Sequence, residues 1–220
     1  MRKARKQTMM YKFTQREIET ALKNLYIVVD TREQKSEGYL SEWDRTNVKT
    51  YSMRDFEKYT KEKKIAKKDL IEPVLSAGDY SAMLPKGVLK GIDRALWFDK
   101  HTIIEKKGSI DELAHNISKK DITRLRNEFA RLKANGTRHR IFIEDNLYFK
   151  HLYEGTGGQR HGWKSQESLS CAISRELSVW GTELIPVPRE YMAQEIYKKL
   201  KYDVRQILID NFSIKDDKFY

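Results

Sequence analysis

Short runs of apolar, β-branched residues that stop abruptly at charged or turn residues constrain the fold of this chain more than any other feature. Each run is too short for a buried helix but has the length and composition of a buried strand. Segments with the three-to-four-residue periodicity of amphipathic helices separate the runs. The alternation predicts a single α/β domain with a central mixed β-sheet and helices on both faces. The runs are YIVVD at 26–30, YSAML at 80–84, HTIIEKK at 101–107, RHRIFIED at 138–145 and ELIPV at 183–187.

The helix predictions rest on caps and on apolar spacing. Thr14 and Glu17 form a T-x-x-E capping box before Ile18 and Leu22, so a first helix is expected at 14–24. The segment VLKGIDRALWFD after Pro85 is expected to return as a hairpin arm. Further helices are expected at 53–63, 109–117, 121–134, 165–180 and 189–209.

The charge balance indicates an anionic partner. The chain has 220 residues, and 43 Lys and Arg against 32 Asp and Glu give a net charge of +11. Such an excess suits a polyanion such as DNA. The first twelve residues, which include Arg2, Lys3, Arg5 and Lys6, are predicted to form a flexible basic arm before a domain at 13–220. Phosphate binding and simple solvation are equally compatible with this arm.

Cysteine content and hydropathy bear on the redox environment of the protein and on whether it associates with a membrane. Cys171 is the only cysteine, which excludes an intrachain disulfide and a cysteine-based zinc site. There is no apolar run long enough to span a membrane and no apolar stretch typical of a secretory signal. We therefore expect a cytoplasmic protein in a reducing environment, with no membrane partner.

Acidic residues lie at the boundaries of three predicted strands. Asp30 and Glu33 follow the first strand, Asp79 precedes the second, and Glu105 lies two residues before Lys107 on the third. Strand ends at one edge of an α/β sheet commonly form ligand sites. Carboxylates brought together repel one another unless a hard cation such as Mg²⁺ or Mn²⁺ compensates them. The spacing of Glu105 and Lys107 places both side chains on the same face of a strand.

These motifs together resemble the nuclease domain of the XPF family of structure-specific endonucleases, within the restriction-endonuclease-like PD-(D/E)XK superfamily. The resemblance rests on VVDTRE at 28–33, GDYS at 78–81 and EKKGSID at 105–111, and it extends over roughly residues 26–209. It implies a single restriction-endonuclease-like domain that hydrolyses phosphodiester bonds with Mg²⁺ or Mn²⁺. No organic cofactor and no covalent intermediate are implied. The expected substrate is branched or otherwise non-B-form DNA, including junctions of single strand and duplex.

The resemblance also implies a role for each matching residue. Asp79 and Glu105 would bind the catalytic metal, while Asp30 and Glu33 would complete a second metal position or an outer shell. Lys107 would position or deprotonate water. Arg32 would contact phosphate or brace the carboxylates, and Asp111 would brace the basic residues, although Asp111 is equally compatible with an ordinary first-turn acid behind a Ser109 cap. Residues predicted to contact nucleic acid are Lys106, Arg124, Arg160 and Lys164, together with the arm.

Three departures from the family pattern shape the expectations. Lys106 stands where the family has Arg, which removes a planar two-point contact. Between Asp79 and Glu105 lie 25 residues (105 − 79 − 1), and the extra segment at 86–100 is expected to form an extended hairpin that touches DNA or a second subunit. A tandem helix-hairpin-helix module is missing after residue 190, so targeting would come from this domain, from a homodimer or from a partner. Compact members of this kind are expected in phages and mobile elements, acting in recombination, repair or replication.

Three alternatives remain open at the level of sequence. A Holliday-junction resolvase would have the same core. A catalytically silent DNA-binding subunit would keep the fold and the charge, but the retention of Asp30, Asp79, Glu105 and Lys107 argues against it. A basic interaction protein without nuclease chemistry would need only the charge.

Overall fold

Seven strands form one mixed sheet in the part of the chain that the structure describes. The structure is a computed structural model, and it describes residues 12–30, 49–51, 75–118, 121–155 and 165–212. The strand order is β2-β1-β3-β5-β6-β7, and β4 also pairs with β3. The strands are β1 (Tyr26–Val29), β2 (Lys49–Tyr51), β3 (Tyr80–Leu84), β4 (Leu96–Trp97), β5 (Thr102–Lys107), β6 (Arg138–Ile143) and β7 (Glu183–Pro186).

Antiparallel pairs lie at the centre of this sheet and parallel pairs lie on both sides. β3 runs antiparallel to β1, β4 and β5. β1 and β2 run parallel, and so do β5, β6 and β7. β3 and β5 share a single ladder pair, Tyr80 with Ile104, and the Ser81 hydroxyl also donates to the Thr102 carbonyl at 2.8 Å. The predicted mixed sheet is confirmed.

Helices cover both faces of the sheet, as predicted. They are α1 (Gln15–Leu22), α2 (Ile110–Asn116), α3 (Ile122–Ala134), α4 (Tyr148–Glu154), α5 (Gln166–Trp180) and α6 (Met192–Asn211). α1 and α6 pack on one face, where Leu22 and Leu200 lie in a core that includes Ile27, Ile104 and Phe142. α2 to α5 cover the other face, where the buried residues include Ile110, Leu113, Phe129, Ile141, Ile143 and Ile173.

Local signals explain where several helices begin and end. The Thr14 side chain accepts from the Glu17 N–H at 3.2 Å, and the Glu17 carboxylate accepts from the Thr14 N–H at 2.8 Å, which completes the predicted capping box. Ser109 caps α2 by accepting from the Glu112 N–H at 3.2 Å. β4 returns along β3, which confirms the hairpin arm after Pro85.

The structure corrects the sequence predictions at three places. β2 and α4 were not predicted. The last helix begins at Met192, after a 3₁₀ turn at Arg189–Tyr191, and runs to Asn211. The helix predicted at 53–63 lies outside the described residues. In the described segments, no helix combines the length and the apolar character that crossing a membrane would require.

A buried ion network ties α6 to the first residues of β5 and β6. The Asp203 carboxylate accepts from the Thr102 hydroxyl at 2.6 Å and from both terminal nitrogens of Arg140, with Nη2 at 3.0 Å. Arg138 lies 3.5 Å from the same carboxylate, and Arg140 Nε donates to Glu183 at 2.6 Å. We call Thr102, Arg138, Arg140, Glu183 and Asp203 the Asp203 network. It fixes the start of β5 against α6.

Candidate active site

Three carboxylates line up across the centre of the sheet. β1 pairs with β3 in a register that sets Val29 opposite Tyr80, so Asp30 lies beside Asp79. The Asp30 N–H donates to the Asp79 carbonyl at 2.9 Å. The pairing of Tyr80 with Ile104 sets Asp79 beside Glu105 on the other side. Residues opposite one another in an antiparallel pair share a face, so the structure brings together Asp30, Asp79 and Glu105.

Gly78 allows Asp79 to approach β5 closely. Gly78 has a φ of +69°, and a Cβ atom there would lie 2.1 Å from Ile103 Cγ2 and 3.1 Å from the Ile104 carbonyl oxygen. The Asp79 N–H donates to the Ile104 carbonyl at 3.0 Å. The Asp79 carboxylate accepts from the Lys106 N–H at 2.7 Å. The glycine therefore makes room for a turn in which the Asp79 carboxylate is held against the backbone of β5.

Lys107 extends along the same face as Glu105. Its ammonium lies 2.6 Å from Glu105 Oε1 and 3.4 Å from Glu112 Oε1, and the Lys107 side chain is 9% exposed. Burial acts to lower the pKa of Lys107, but Glu105, Glu112 and Asp79 outweigh burial and raise the pKa above its ordinary value. These carboxylates therefore favour the charged, hydrogen-bond-donating form of Lys107.

Glu128 on α3 adds a carboxylate that the sequence analysis missed. Its Oε1 accepts from the Gly78 N–H at 3.4 Å, at the turn that positions Asp79. Burial raises the pKa of Glu128, and the nearby Glu105 carboxylate raises it further. A signal was present, because Glu128 lies three residues after Leu125 and four before Leu132, both of which are buried. An acid on the core-facing stripe of a helix indicates a specific role.

We call Asp79, Glu105, Lys107, Glu112 and Glu128 the edge cluster. It lies where β5 ends, on the face that carries α2 and α3. Ile103, two residues before Glu105, packs with Ala77 and with Leu132 of α3, which fixes this orientation. The cluster thus combines four carboxylates with one ammonium.

The edge cluster offers the oxygen donors that Mg²⁺ and Mn²⁺ prefer. Among the described residues, no group of three Asp, Glu, His or Cys side chains is arranged to hold a metal ion. Mg²⁺ commonly takes only one or two carboxylates and completes its coordination with water. Asp79 directly before β3 and Glu105 on β5 supply two carboxylates at adjacent positions.

Asp30 occupies the buried end of the carboxylate row. It is 2% exposed, and its Oδ2 accepts from the Leu75 N–H at 2.8 Å. This bond ties the segment before Asp79 to the end of β1. Its burial leaves little of the Asp30 side chain accessible from solvent.

The other predicted site residues have different placements. The Lys106 ammonium pairs with Glu144 at 3.3 Å, and its side chain is 9% exposed, so the residue reaches the edge cluster through its backbone N–H. Asp111 lies in the first turn of α2, and Glu112 is the acid of this turn that contacts Lys107. Arg124 is exposed one helical turn before Glu128. Outside the described residues lie Arg2, Lys3, Arg5, Lys6, Arg32, Glu33, Arg160 and Lys164.

A buried histidine, His139, lies near both the Asp203 network and the edge cluster. His139 is 7% exposed, its Nδ1 lies 3.2 Å from the Thr182 hydroxyl, and its ring packs 4.7 Å from that of Phe129. Burial, together with the positive charges of Lys107 and Arg140, lowers the pKa of His139 to about 4. The imidazole is therefore neutral at physiological pH.

The fold is similar to that of solved structures of one archaeal protein. XPF from Aeropyrum pernix matches with a TM-score of 0.49 and 17% identity over 84% of this chain and 67% of that chain. XPF from Aeropyrum pernix in complex with DNA matches with a TM-score of 0.46 and 16% identity over 82% of this chain and 66% of that chain. No protein-family model matches the sequence, and no curated protein is detectably similar to it.

Proposed function

We propose that this chain is a metal-dependent endonuclease that hydrolyses phosphodiester bonds in DNA, with branched or other non-B-form DNA as its substrate. The observation that carries the proposal is the placement of Asp79 beside Glu105, with the Lys107 ammonium 2.6 Å from Glu105. The net charge of +11 supports a polyanionic substrate. The likeness to XPF from Aeropyrum pernix, one structure of which contains DNA, is consistent with the same class.

Asp79 and Glu105 would hold one Mg²⁺ or Mn²⁺ ion in this mechanism. When bound, such an ion supplies Lewis-acid catalysis, because it polarises a phosphoryl oxygen and lowers the pKa of coordinated water. Asp79 keeps its orientation through the Lys106 N–H, and the Gly78–Glu128 contact fixes the turn that carries it. These contacts hold the two acidic side chains in place before substrate arrives.

Lys107 would act on the reacting water and phosphate. An ammonium donates hydrogen bonds, so it can orient the attacking water and stabilise the negative charge that grows on the phosphate oxygens. Neighbouring carboxylates raise the pKa of Lys107 and favour its charged form, so Lys107 would orient the attacking water as a hydrogen-bond donor. The water would give up a proton to bulk solvent as its oxygen forms a bond to phosphorus. The bond from phosphorus to the leaving oxygen would break in the same step, and the leaving oxygen would take up a proton from solvent.

One assay tests the proposal. The purified protein is incubated with labelled forked, flapped, nicked and four-way DNA, with and without Mg²⁺, beside Asp79→Ala and Lys107→Ala. Lys23→Ala serves as the matched control, because Lys23 is an exposed lysine at the end of α1 on the opposite face. We expect cutting only with metal, loss of cutting in both site variants, retained DNA binding, and normal cutting by the control.

The substrate panel also separates the alternatives. Cutting confined to four-way junctions would identify a resolvase. Binding without cutting under any metal would identify a silent DNA-binding subunit, and the absence of DNA binding would leave a basic protein that acts on another partner. Binding is expected to weaken steeply with salt, because contacts to phosphate release counterions.

A further inference from the structure

Three large apolar side chains are exposed together around α4. Leu147, Phe149 and Tyr153 are 53%, 66% and 64% exposed. Across the residues that the structure describes, only three other large hydrophobic side chains are exposed, and they lie apart in the chain at Val179, Tyr191 and Tyr202. Phe149 and Tyr153 are four residues apart on one helix, so their rings lie on the same side. Grouped apolar exposure of this kind marks an interaction surface.

α4 presents these rings from a fixed position. Tyr148 and Leu152 are buried in the core shared with α2. Asp145 accepts from the Leu147 N–H at 2.8 Å through Oδ1, and its Oδ2 lies 2.8 Å from Nδ1 of His151. These contacts therefore fix the N-terminal end and the first turn of α4. A rigid aromatic surface loses little conformational freedom when a ligand binds.

The helix leaves the sheet at the edge that carries the candidate active site. β5 and β6 are parallel, with Lys107 opposite Ile143, and the Glu144 N–H donates to the Lys107 carbonyl at 2.8 Å. α4 begins five residues after Ile143. α2, which follows Lys107, packs against α4 through the same apolar core. These contacts place α4 beside α2, after the strand end that neighbours Lys107.

The charge of the chain as a whole favours a polyanionic occupant. The chain carries a net charge of +11, and α4 itself exposes one charge of each sign, Lys150 and Glu154. A second copy of the chain would bring an equal positive charge to this surface. A nucleic-acid strand brings phosphates for the lysine and flat π faces for the rings, and stacking on Phe or Tyr tolerates any base. Bases in a duplex are already stacked on one another, so only unpaired bases offer both faces.

We propose that Phe149 and Tyr153 form a stacking platform for unpaired bases next to the edge cluster. The proposal deepens the nuclease function and rests on it for the identity of the substrate. It gives the protein a direct means of preferring DNA with a single-stranded segment beside the cut. Lys150 would hold the phosphate between the stacked nucleotides.

The test measures binding without metal, so that it does not depend on cutting. A short oligothymidine and a duplex of equal length, both fluorescently labelled, are titrated in EDTA at one salt concentration. Phe149→Ala with Tyr153→Ala is compared with the ring-preserving pair Phe149→Tyr with Tyr153→Phe, and with the apolar but non-aromatic pair Phe149→Leu with Tyr153→Leu. Tyr202→Ala is the matched control, because Tyr202 is 61% exposed on α6. Thermal melting verifies that each variant is folded.

We expect single-strand affinity to fall by about tenfold or more in the alanine and leucine pairs. The ring-preserving pair and Tyr202→Ala should bind as the wild type does, and duplex affinity should change little. Unchanged single-strand affinity in the alanine pair would overturn the platform. So would a wild-type dimer that dissociates in that pair with no loss of DNA affinity, because the surface would then join two copies. If the wild type cuts no DNA but the affinity differences appear, the nuclease function fails and the platform stands.

Discussion

The edge cluster and the Asp203 network lie at opposite ends of the same strand, and they balance charge in opposite ways. In the Asp203 network, two guanidiniums face two carboxylates, and the Thr102 hydroxyl donates a further hydrogen bond to Asp203. In the edge cluster, the Lys107 ammonium contacts two of the four carboxylates, Glu105 and Glu112. In the first group, every charged side chain contacts a charge of opposite sign. In the second, carboxylates lie near one another, and such groups disfavour each other's charged forms.

The comparison distinguishes a charged group with a structural role, the Asp203 network, from a candidate functional group, the edge cluster. Asp203 and Arg140 are 8% and 13% exposed, so breaking their contact would leave a buried charge without its partner. The edge cluster is open on one side, where the Glu112 side chain is 46% exposed. We expect mutations in the first group to reduce stability and mutations in the second to reduce activity.

The largest effect on stability is expected from Asp203→Ala. The substitution leaves the buried guanidinium of Arg140 without its main partner, which costs about 3–5 kcal/mol of unfolding free energy. Urea denaturation of wild type and variant measures the difference. A loss below about 1 kcal/mol would contradict the comparison, because the network would then contribute no more than a surface ion pair.

Asp79→Asn should show the opposite pattern. The asparagine oxygen can still accept from the Lys106 N–H, so the unfolding free energy should change by less than about 1 kcal/mol. Metal-dependent cutting should fall at least about 100-fold, because a charged ligand of the ion is lost. In thermal melting, Mg²⁺ should stabilise the wild type more than the variant. Equal stabilisation by Mg²⁺ would show that Asp79 does not bind the ion.

The pH dependence of stability at His139 depends on both the edge cluster and the Asp203 network. Lys107 of the first and Arg140 of the second both disfavour the charged form of His139. Its folded pKa of about 4 lies below the ordinary value of 6.5. As pH falls from 6.5 to 4, the unfolded chain therefore takes up the proton first and the folded state loses stability. The loss is at most about 3 kcal/mol. Urea unfolding of His139→Gln across this range should lack this contribution, and a slope equal to that of the wild type would contradict the assignment.

The smallest effect is expected from Glu128→Gln. A raised pKa means that the charged carboxylate is unfavourable in the folded state, so its removal should increase the unfolding free energy at pH 7. The glutamine oxygen can still accept from the Gly78 N–H. Glu112→Gln is the control, because its more exposed side chain should change stability less. A loss of stability in Glu128→Gln would show that the edge cluster is not over-supplied with negative charge.

Sequence patterns predicted the parts of the molecule that depend on local chemistry. Short apolar runs located β1, β3, β5, β6 and β7, and the capping box located α1. β2 was not predicted because Lys49–Tyr51 is short and lies in a polar segment. Only its backbone pairing with β1 defines it as a strand.

α4 was not predicted because its start depends on a hydrogen bond to Asp145, a residue that precedes the helix.

In the candidate site too, residues with local sequence signals were predicted and residues that depend on tertiary contacts were not. Asp79, Glu105 and Lys107 could be found from strand ends and spacing. Glu128 and Arg126 lie on a charge-rich helix that reads as a solvated surface, yet Glu128 reaches Gly78 and Arg126 binds the buried Glu176 at 2.6 Å. Both roles depend on what packs opposite the helix, and a single sequence does not contain that information.

The single ladder pair between β3 and β5 has a mechanical consequence. Asp79 precedes β3 and Glu105 lies on β5, so an ion held by both would link the two strands across this short pairing. Amide hydrogen exchange at Tyr80 and Ile104 should then slow when Mg²⁺ is added. The cation proposed for hydrolysis would also act as a cross-link between two strands of the sheet.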